Sequence, residues 1–342
     1  MKRFISLIFM ALLVAVPLAG CSRSSKSYTN NKLVDNGEKI SVVSTIFPSY
    51  DFTREVAGDK ADVTMLLPPG SESHSFEPTP QDIIKIQNCD IFLYVGGESD
   101  QWVNEVLESM DTSKMKIITL MDCVQVVEEE VVEGMEEEEH TDDHETEEEH
   151  ADGEEKEHAH DHGEEEPEYD EHVWTSPKNA KRIVQIISDA LCDTDTANAA
   201  FYQTNTEDYL TKLDELDSKF QDAVDNNKRK TIVFGDRFPF RYFADAYGLK
   251  YFAAFPGCST ETEASAATVK FLIDKINTEK IPVVFHIELS NEKMADTISE
   301  ATGAKVLLMH ACHNISKSDF ESGKNYIELM TANVEALKEA LQ

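Results

Sequence analysis

The chain has 342 residues, 41% of them hydrophobic, and a formal net charge of −35. That length suits two domains of ordinary size. An acidic surface without a basic stripe argues against nucleic-acid binding. The charge is concentrated: Glu128 to Glu171 holds 25 Asp/Glu, six His and one Lys, or −24 of the −35, which leaves −11 for everything else.

The N-terminus opens with Lys2 and Arg3, an apolar run from Phe4 to Ala19, and Leu18-Ala19-Gly20-Cys21. A basic start, a short apolar run and small residues read as a secretory signal over residues 1–20; the run is too short for a membrane span. The tetrapeptide resembles the lipobox of bacterial lipoproteins, which implies cleavage before Cys21 and a lipid on its thiol. Residues 21–38 are then a flexible, Ser/Asn/Lys-rich tether. The expected location is extracytoplasmic, lipid-anchored to the cell membrane.

From residue 39 the sequence alternates β-rich and helical runs. Ile40 to Ile46, Val63 to Leu67, Ile91 to Val95 and Met115 to Leu120 read as strands. Ser49 to Val56, Pro80 to Gln87 and Trp102 to Met110 read as helices, with Pro80 at a first helical position. Such alternation predicts a parallel sheet covered on both faces. The predicted first lobe spans 39–193 and includes the acidic insertion at 128–169. That insertion buries too little apolar surface to offset its ordering entropy, so a solvated loop is expected. Its histidines (His140, His144, His150, His158, His160, His162), set among carboxylates, form an auxiliary stretch that attracts divalent metal.

After the insertion, Ser176-Pro177 starts a helix that runs to about Ala190. Residues 194–228 keep helical spacing throughout, as at Tyr209, Leu213, Leu216 and Phe220, and predict a long, rigid connecting helix. A second β/α series fills 229–342, with strands at Thr231–Phe234, Tyr251–Phe255, Val283–Ile287 and Lys305–Met309. The predicted helices are about Phe238–Tyr247, then Glu261–Ile276, Asn291–Thr302 and Tyr326–Leu341. The fold class is therefore α/β: two β/α lobes with parallel sheets joined by one long helix. Ligands in such folds sit at strand C-termini facing the cleft. Five cysteines follow Cys21; Cys258 and Cys312, both in C-terminal loop sequence, are the pair expected to bridge, since export permits disulfides.

Outside the insertion, the N-terminal lobe has only two histidines: His74 shortly after a strand, and His172 just before a helix. Several motifs resemble one family. They are Phe47-Pro48-Ser49-Tyr50-Asp51-Phe52, Val56-Ala57-Gly58-Asp59, and Leu67-Pro68-Pro69-Gly70 with His74 and Glu77-Pro78-Thr79-Pro80. Asp170-Glu171-His172-Val173-Trp174-Thr175-Ser176-Pro177 and the run Thr297 to Lys305 complete the likeness. Together these resemble the zinc/manganese solute-binding lipoproteins of bacterial ABC transporters, in the zinc type that carries a His/acid-rich loop.

The resemblance implies a metal held between the lobes, with His74 and His172 as the first two ligands. At the family's third position, three residues before Phe240, this chain has Arg237, which cannot lose its proton to bind metal. Either neighbouring Asp236 serves, or Arg237 neutralises a carboxylate and the ligand comes from elsewhere. Glu288 fits the fourth position after a strand; His286 shares its face but lies further from the strand end. His310 and His313 follow the last strand and form a further candidate pair. Nitrogen-rich ligands suit tetrahedral zinc, with manganese as the alternative. The implied protein is a monomeric receptor, not an enzyme, that delivers its divalent ion to a membrane ABC permease. A manganese receptor, a surface metal buffer or adhesin, and a secreted zinc hydrolase are the alternatives. The hydrolase lacks the spacing His-Glu-x-x-His and the elbow Gly-x-Ser-x-Gly.

Overall fold

The computed structural model describes residues 39–72, 76–135, 168–259 and 263–342, all within one unit, Glu38–Gln342. The expected signal (1–20), the tether with Cys21, His74 and the six insertion histidines lie outside those residues.

The first lobe is built on β1 (Ile40–Ser44), β2 (Ala61–Met65), β3 (Ile91–Tyr94) and β4 (Lys116–Thr119). Their order is β2-β1-β3-β4 and every pairing is parallel. Successive side chains of the central strands point to opposite faces. Val42, Ile91 and Leu93 pack toward α1 (Phe47–Ala57), through Phe52 and Val56. Val43 and Phe92 pack with Ile86 of α2 (Pro80–Gln87) and Val103 of α3 (Gln101–Glu108). Both faces are apolar, so these strands read as continuous hydrophobic runs rather than alternating ones. α2 begins where the sequence predicts, with Pro80 in its first turn and a reciprocal capping box between Thr79 and Asp82.

Both helices predicted after the insertion are present, but their boundary is shifted: the first runs past Ala190 and the second starts later than Thr194. α4 (Pro177–Thr194) ends there, and α5 (Ala199–Asp225) follows a short turn. The turn is fixed by Asp195, whose carboxylate accepts from Asn198 Nδ2 and Tyr202 OH, each at 2.7 Å. α5 runs 27 residues, about 40 Å at 1.5 Å per residue. Its buried stripe is Tyr202, Thr206, Tyr209, Leu213, Leu216, Phe220 and Ala223, the alternating three- and four-residue step of an amphipathic helix.

The second lobe contains β5 (Thr231–Val233), β6 (Arg237–Phe238), β7 (Lys250–Phe252), β8 (Phe255–Pro256), β9 (Val283–His286) and β10 (Lys305–Leu308). β5 pairs β7, β6 pairs β8 and β9 pairs β10, all parallel, and a bridge between Phe234 and Phe285 ties β5 to β9. The helices are α6 (Arg241–Tyr247), α7 (Ala266–Glu279), α8 (Lys293–Thr302), α9 (Lys317–Glu321) and α10 (Tyr326–Leu341). The run Tyr251–Phe255, predicted as one strand, divides into β7 and β8. It changes partners at Ala254, whose N–H donates to Asp236 O at 3.1 Å. α6 starts at Arg241 rather than near Phe238, because Arg237 and Phe238 are engaged in β6.

One hydrophobic cluster threads both lobes, from Val42 and Phe52 to Phe285 and Leu329. α5 spans it: Tyr209 packs near Phe52, ring centroids 6.1 Å apart, and Phe220 packs on Phe243 at 4.8 Å. α10 returns across the boundary, where Tyr326 meets Phe52 edge-on at 4.9 Å and donates its N–H to Asp51 Oδ2 at 2.9 Å. Each large side chain so buried contributes about 1.5–3 kcal/mol.

The expected bridge between Cys258 and Cys312 is not formed; both thiols are free. Cys312 is fully buried in the shared core. Cys258 lines a different cavity with Gly96, Gly97, Glu129 and Tyr169. Burial holds both thiols well above their ordinary pKa.

Candidate functional site

His172 begins with its neighbours. Asp170 Oδ1 accepts from the His172 backbone N–H at 2.8 Å and lies 3.2 Å from ring Nδ1. A carboxylate on one ring nitrogen fixes the tautomer and orients the ring, as it does for metal-binding imidazoles. Asp170 is itself held by Tyr242 OH, which donates to its carbonyl at 2.7 Å. Burial disfavours the charged imidazole, but the Asp170 charge and hydrogen bond outweigh it and raise the His172 pKa. Gly257 closes the back of the ring: a Cβ there would stand 3.2 Å from His172 Cε1 and Nδ1, so the approach admits only glycine without a shift.

His313 comes from the other lobe. The rings of His172 and His313 are perpendicular with centroids 5.3 Å apart, and Trp174 packs against both, at 5.5 and 4.9 Å. Trp174 also donates its indole N–H across the lobe boundary to Ala311 O at 2.8 Å. Glu288, just past β9, accepts from Ala311 N–H at 2.6 Å and His313 N–H at 3.0 Å, so it shapes the loop that presents His313. Burial pushes the Glu288 carboxyl up to about 7, against those two N–H bonds and with help from the Asp236 charge. The backbone on either side is costly. Leu289 (φ 62°) and Cys312 (φ 59°) are two of three non-glycine residues with left-handed φ among the described residues. Such conformations cost on the order of 1–3 kcal/mol each and persist where surroundings enforce them.

His172, Glu288 and His313 line one cleft, with Ser71, Glu72, Arg237, Gly257 and Asn314. Its free volume is about 20 Å³, room for one water-sized occupant. Among the described residues no three His, Cys, Asp or Glu side chains form a group that would hold a metal; the expected first ligand, His74, lies outside them.

The structure does not bring Asp236 or His310 to this cleft. Asp236 braces the turn beside it: Oδ1 accepts from Arg237 N–H at 2.8 Å, and Oδ2 accepts from Ile287 N–H at 3.1 Å and from Ser290 Oγ. It lines an adjoining cavity of about 240 Å³. His310 is tied through its backbone to Asn333 and lies near Asp319 and His286; burial pushes its pKa down to about 4. His286 Nδ1 lies 3.1 Å from Ile287 O, and its Nε2 stands 3.9 Å from Glu292 Oε1. Arg237, at the family's usual ligand position, pairs with Glu72 at 3.4 Å.

Sequence reasoning did not single out Glu72 or Asn314. Each is adjacent or nearly so to a candidate histidine, and that proximity was the only signal available.

Residues 42–340 match the family model described as "Zinc-uptake complex component A periplasmic". The chain is 32% identical over 324 residues to the high-affinity zinc uptake system protein ZnuA of Bacillus subtilis, covering 95% of this chain and 93% of that one. It is 32% identical over 332 residues to the zinc-binding lipoprotein AdcA of Streptococcus pneumoniae, covering 97% of this chain but only 60% of that longer protein. The crystal structure of the Zn(II)-bound ZnuA-like domain of Streptococcus pneumoniae AdcA superimposes with a TM-score of 0.69 at 29% identity, over 89% of this chain and 99% of that one. The chain belongs to the family of zinc-uptake complex component A periplasmic proteins.

Proposed function

We propose that this protein is an extracytoplasmic receptor that captures one zinc ion between its lobes and delivers it to the membrane permease of an ABC importer. The observation that carries this is the meeting of two buried imidazoles, His172 from one lobe and His313 from the other, at a cavity of about 20 Å³. His74 and Glu288 complete the proposed ligand set. Asp236 and His310 are left out of it, because their contacts lie elsewhere.

Three nitrogens and a carboxylate suit zinc at about 2.0–2.2 Å, whereas manganese prefers more oxygen. With every position filled by protein, no coordination site remains for an activated water, which fits a carrier and not a hydrolase. The named relatives are zinc-uptake and zinc-binding proteins. Lipid on Cys21 would hold the monomer at the membrane surface. The acidic histidine insertion would gather zinc weakly beside the cleft.

The base of that insertion belongs to the fold. Glu128 bridges Tyr169, Glu129 N–H donates to Glu168 O at 2.9 Å, and Tyr251 OH donates to Glu130 at 2.9 Å. A clean deletion therefore removes residues 136–167 and keeps this stem. Chelator-competition titration of that variant is expected to show one tight zinc site with parental affinity and fewer weak ones. Loss of the tight site would place it in the insertion and overturn the cleft assignment.

A further inference from the structure

We propose that Asn314 is a positioning residue that clamps the segment Pro68–Glu72 of the first lobe onto the second lobe and so sets how fast zinc leaves. This rests on the receptor reading above. Asn314 is 3% exposed and directly follows His313. Its Nδ2 donates to two carbonyls of the opposite lobe, Pro68 O and Ser71 O, both at 2.8 Å. Its Oδ1 accepts from Ile315 N–H at 2.8 Å, which fixes the amide plane. The same segment is tied again where Gly70 N–H donates to Ile315 O at 2.8 Å. Arg237 ties it a third time: Nη1 and Nη2 donate to the two Glu72 carboxylate oxygens at 3.4 Å, and Nη1 donates to Ser259 O at 3.3 Å.

The chemistry of the amide explains why this residue is Asn. Both interlobe acceptors are backbone carbonyls, and one NH2 group supplies two donors at a fixed angle. Pro68 cannot contribute an N–H of its own to such a junction. The segment leads, two residues past Glu72, to His74 in the sequence, and the other end of the clamp is covalently joined to His313. An ion held from both lobes leaves only when ligands of the two lobes part, so bonds that hold these neighbours together oppose release. They contribute less to capture, because encounter with a small cation needs no separation of the lobes.

The test is stopped-flow release of zinc from the loaded full chain into excess chelator, for the parent, Asn314→Asp and Asn314→Ala. Asn314→Asp keeps the acceptor for Ile315 and removes both interlobe donors. Its added negative charge alone would slow the release of a cation, so faster release cannot come from charge. Because a carboxylate set against two carbonyls can unfold the loop, the alanine variant is measured beside it. The expected result is about tenfold faster release in both, corresponding to about 1.4 kcal/mol, with the association rate nearly unchanged. The melting temperature of the metal-free variants should stay within a few degrees of the parent. Release at the parental rate, from a parent that binds zinc tightly, would overturn the positioning role alone. A parent with no tight zinc site would overturn the receptor reading and this role with it.

Discussion

Substituting alanine for His172 and His313 together is expected to weaken zinc binding about ten-thousand-fold. Apparent free energies for four-ligand zinc sites are on the order of 10–16 kcal/mol, or roughly 3 kcal/mol per ligand. Losing two ligands then costs about 6 kcal/mol, which is about four decades in Kd. The fold should survive. Asp170 keeps the His172 backbone N–H, and Trp174 keeps its bond to Ala311 O, although the ring contacts of both histidines with Trp174 and of His172 with Asp170 are lost. Competition with a chelator of known affinity reads the tight site, and the weak binding contributed by the insertion should persist unchanged. Binding within tenfold of the parent would remove these two histidines from the ligand set.

The metal-free protein is expected to lose stability as pH rises from about 5 to about 8, while zinc affinity rises over the same range. Burial raises Asp51 and Asp100 to about 6 and Glu288 to about 7. A carboxyl whose folded pKa lies above its unfolded one binds more protons when folded. Its contribution is fully present below the unfolded value and is lost as pH climbs through the folded one. Each of these shifts corresponds to about 3 kcal/mol. His172, also raised, acts in the same direction. His310, pushed down to about 4, opposes them, since its neutral form is favoured in the fold. Part of each carboxyl contribution is already gone by pH 5, so within this window, with His310 opposing, the net loss is on the order of 3 kcal/mol, or a Tm lower by roughly 6 °C. Zinc reverses the slope, because binding needs the Glu288 carboxylate and neutral imidazoles. A metal-free Tm that climbs steadily between these limits would contradict the assignment of the buried carboxyls.

Much of this architecture could be read from the chain because it is periodic. The stripe from Tyr202 to Phe220 repeats every three or four residues, and the runs at Val42–Val43 and Ile91–Leu93 are apolar on both faces. His172 was visible for another reason: it sits between a charged insertion and a Ser-Pro helix start, where little else accounts for a histidine. What escaped reading was set by contacts without period. Asp236 looks like a ligand in sequence, yet Ile287 and Ser290, about fifty residues on, occupy its oxygens. The amide of Asn314 meets carbonyls 243 and 246 residues away, and no local pattern encodes such a meeting. The position of the break between α4 and α5, at 195–198 rather than before Thr194, turned on Asp195 satisfying a turn.

The hydrophobic cluster shared by the lobes, with α5 and α10 laid across it, has a calorimetric consequence. Receptors that clap shut on a ligand draw apolar walls together and show it as a negative heat-capacity change. Here those walls are joined by a continuous apolar core that includes none of the proposed ligands. Loading should therefore carry a heat-capacity change near zero, with an enthalpy that barely varies between cold and warm titrations, and a scattering radius that is the same empty or full.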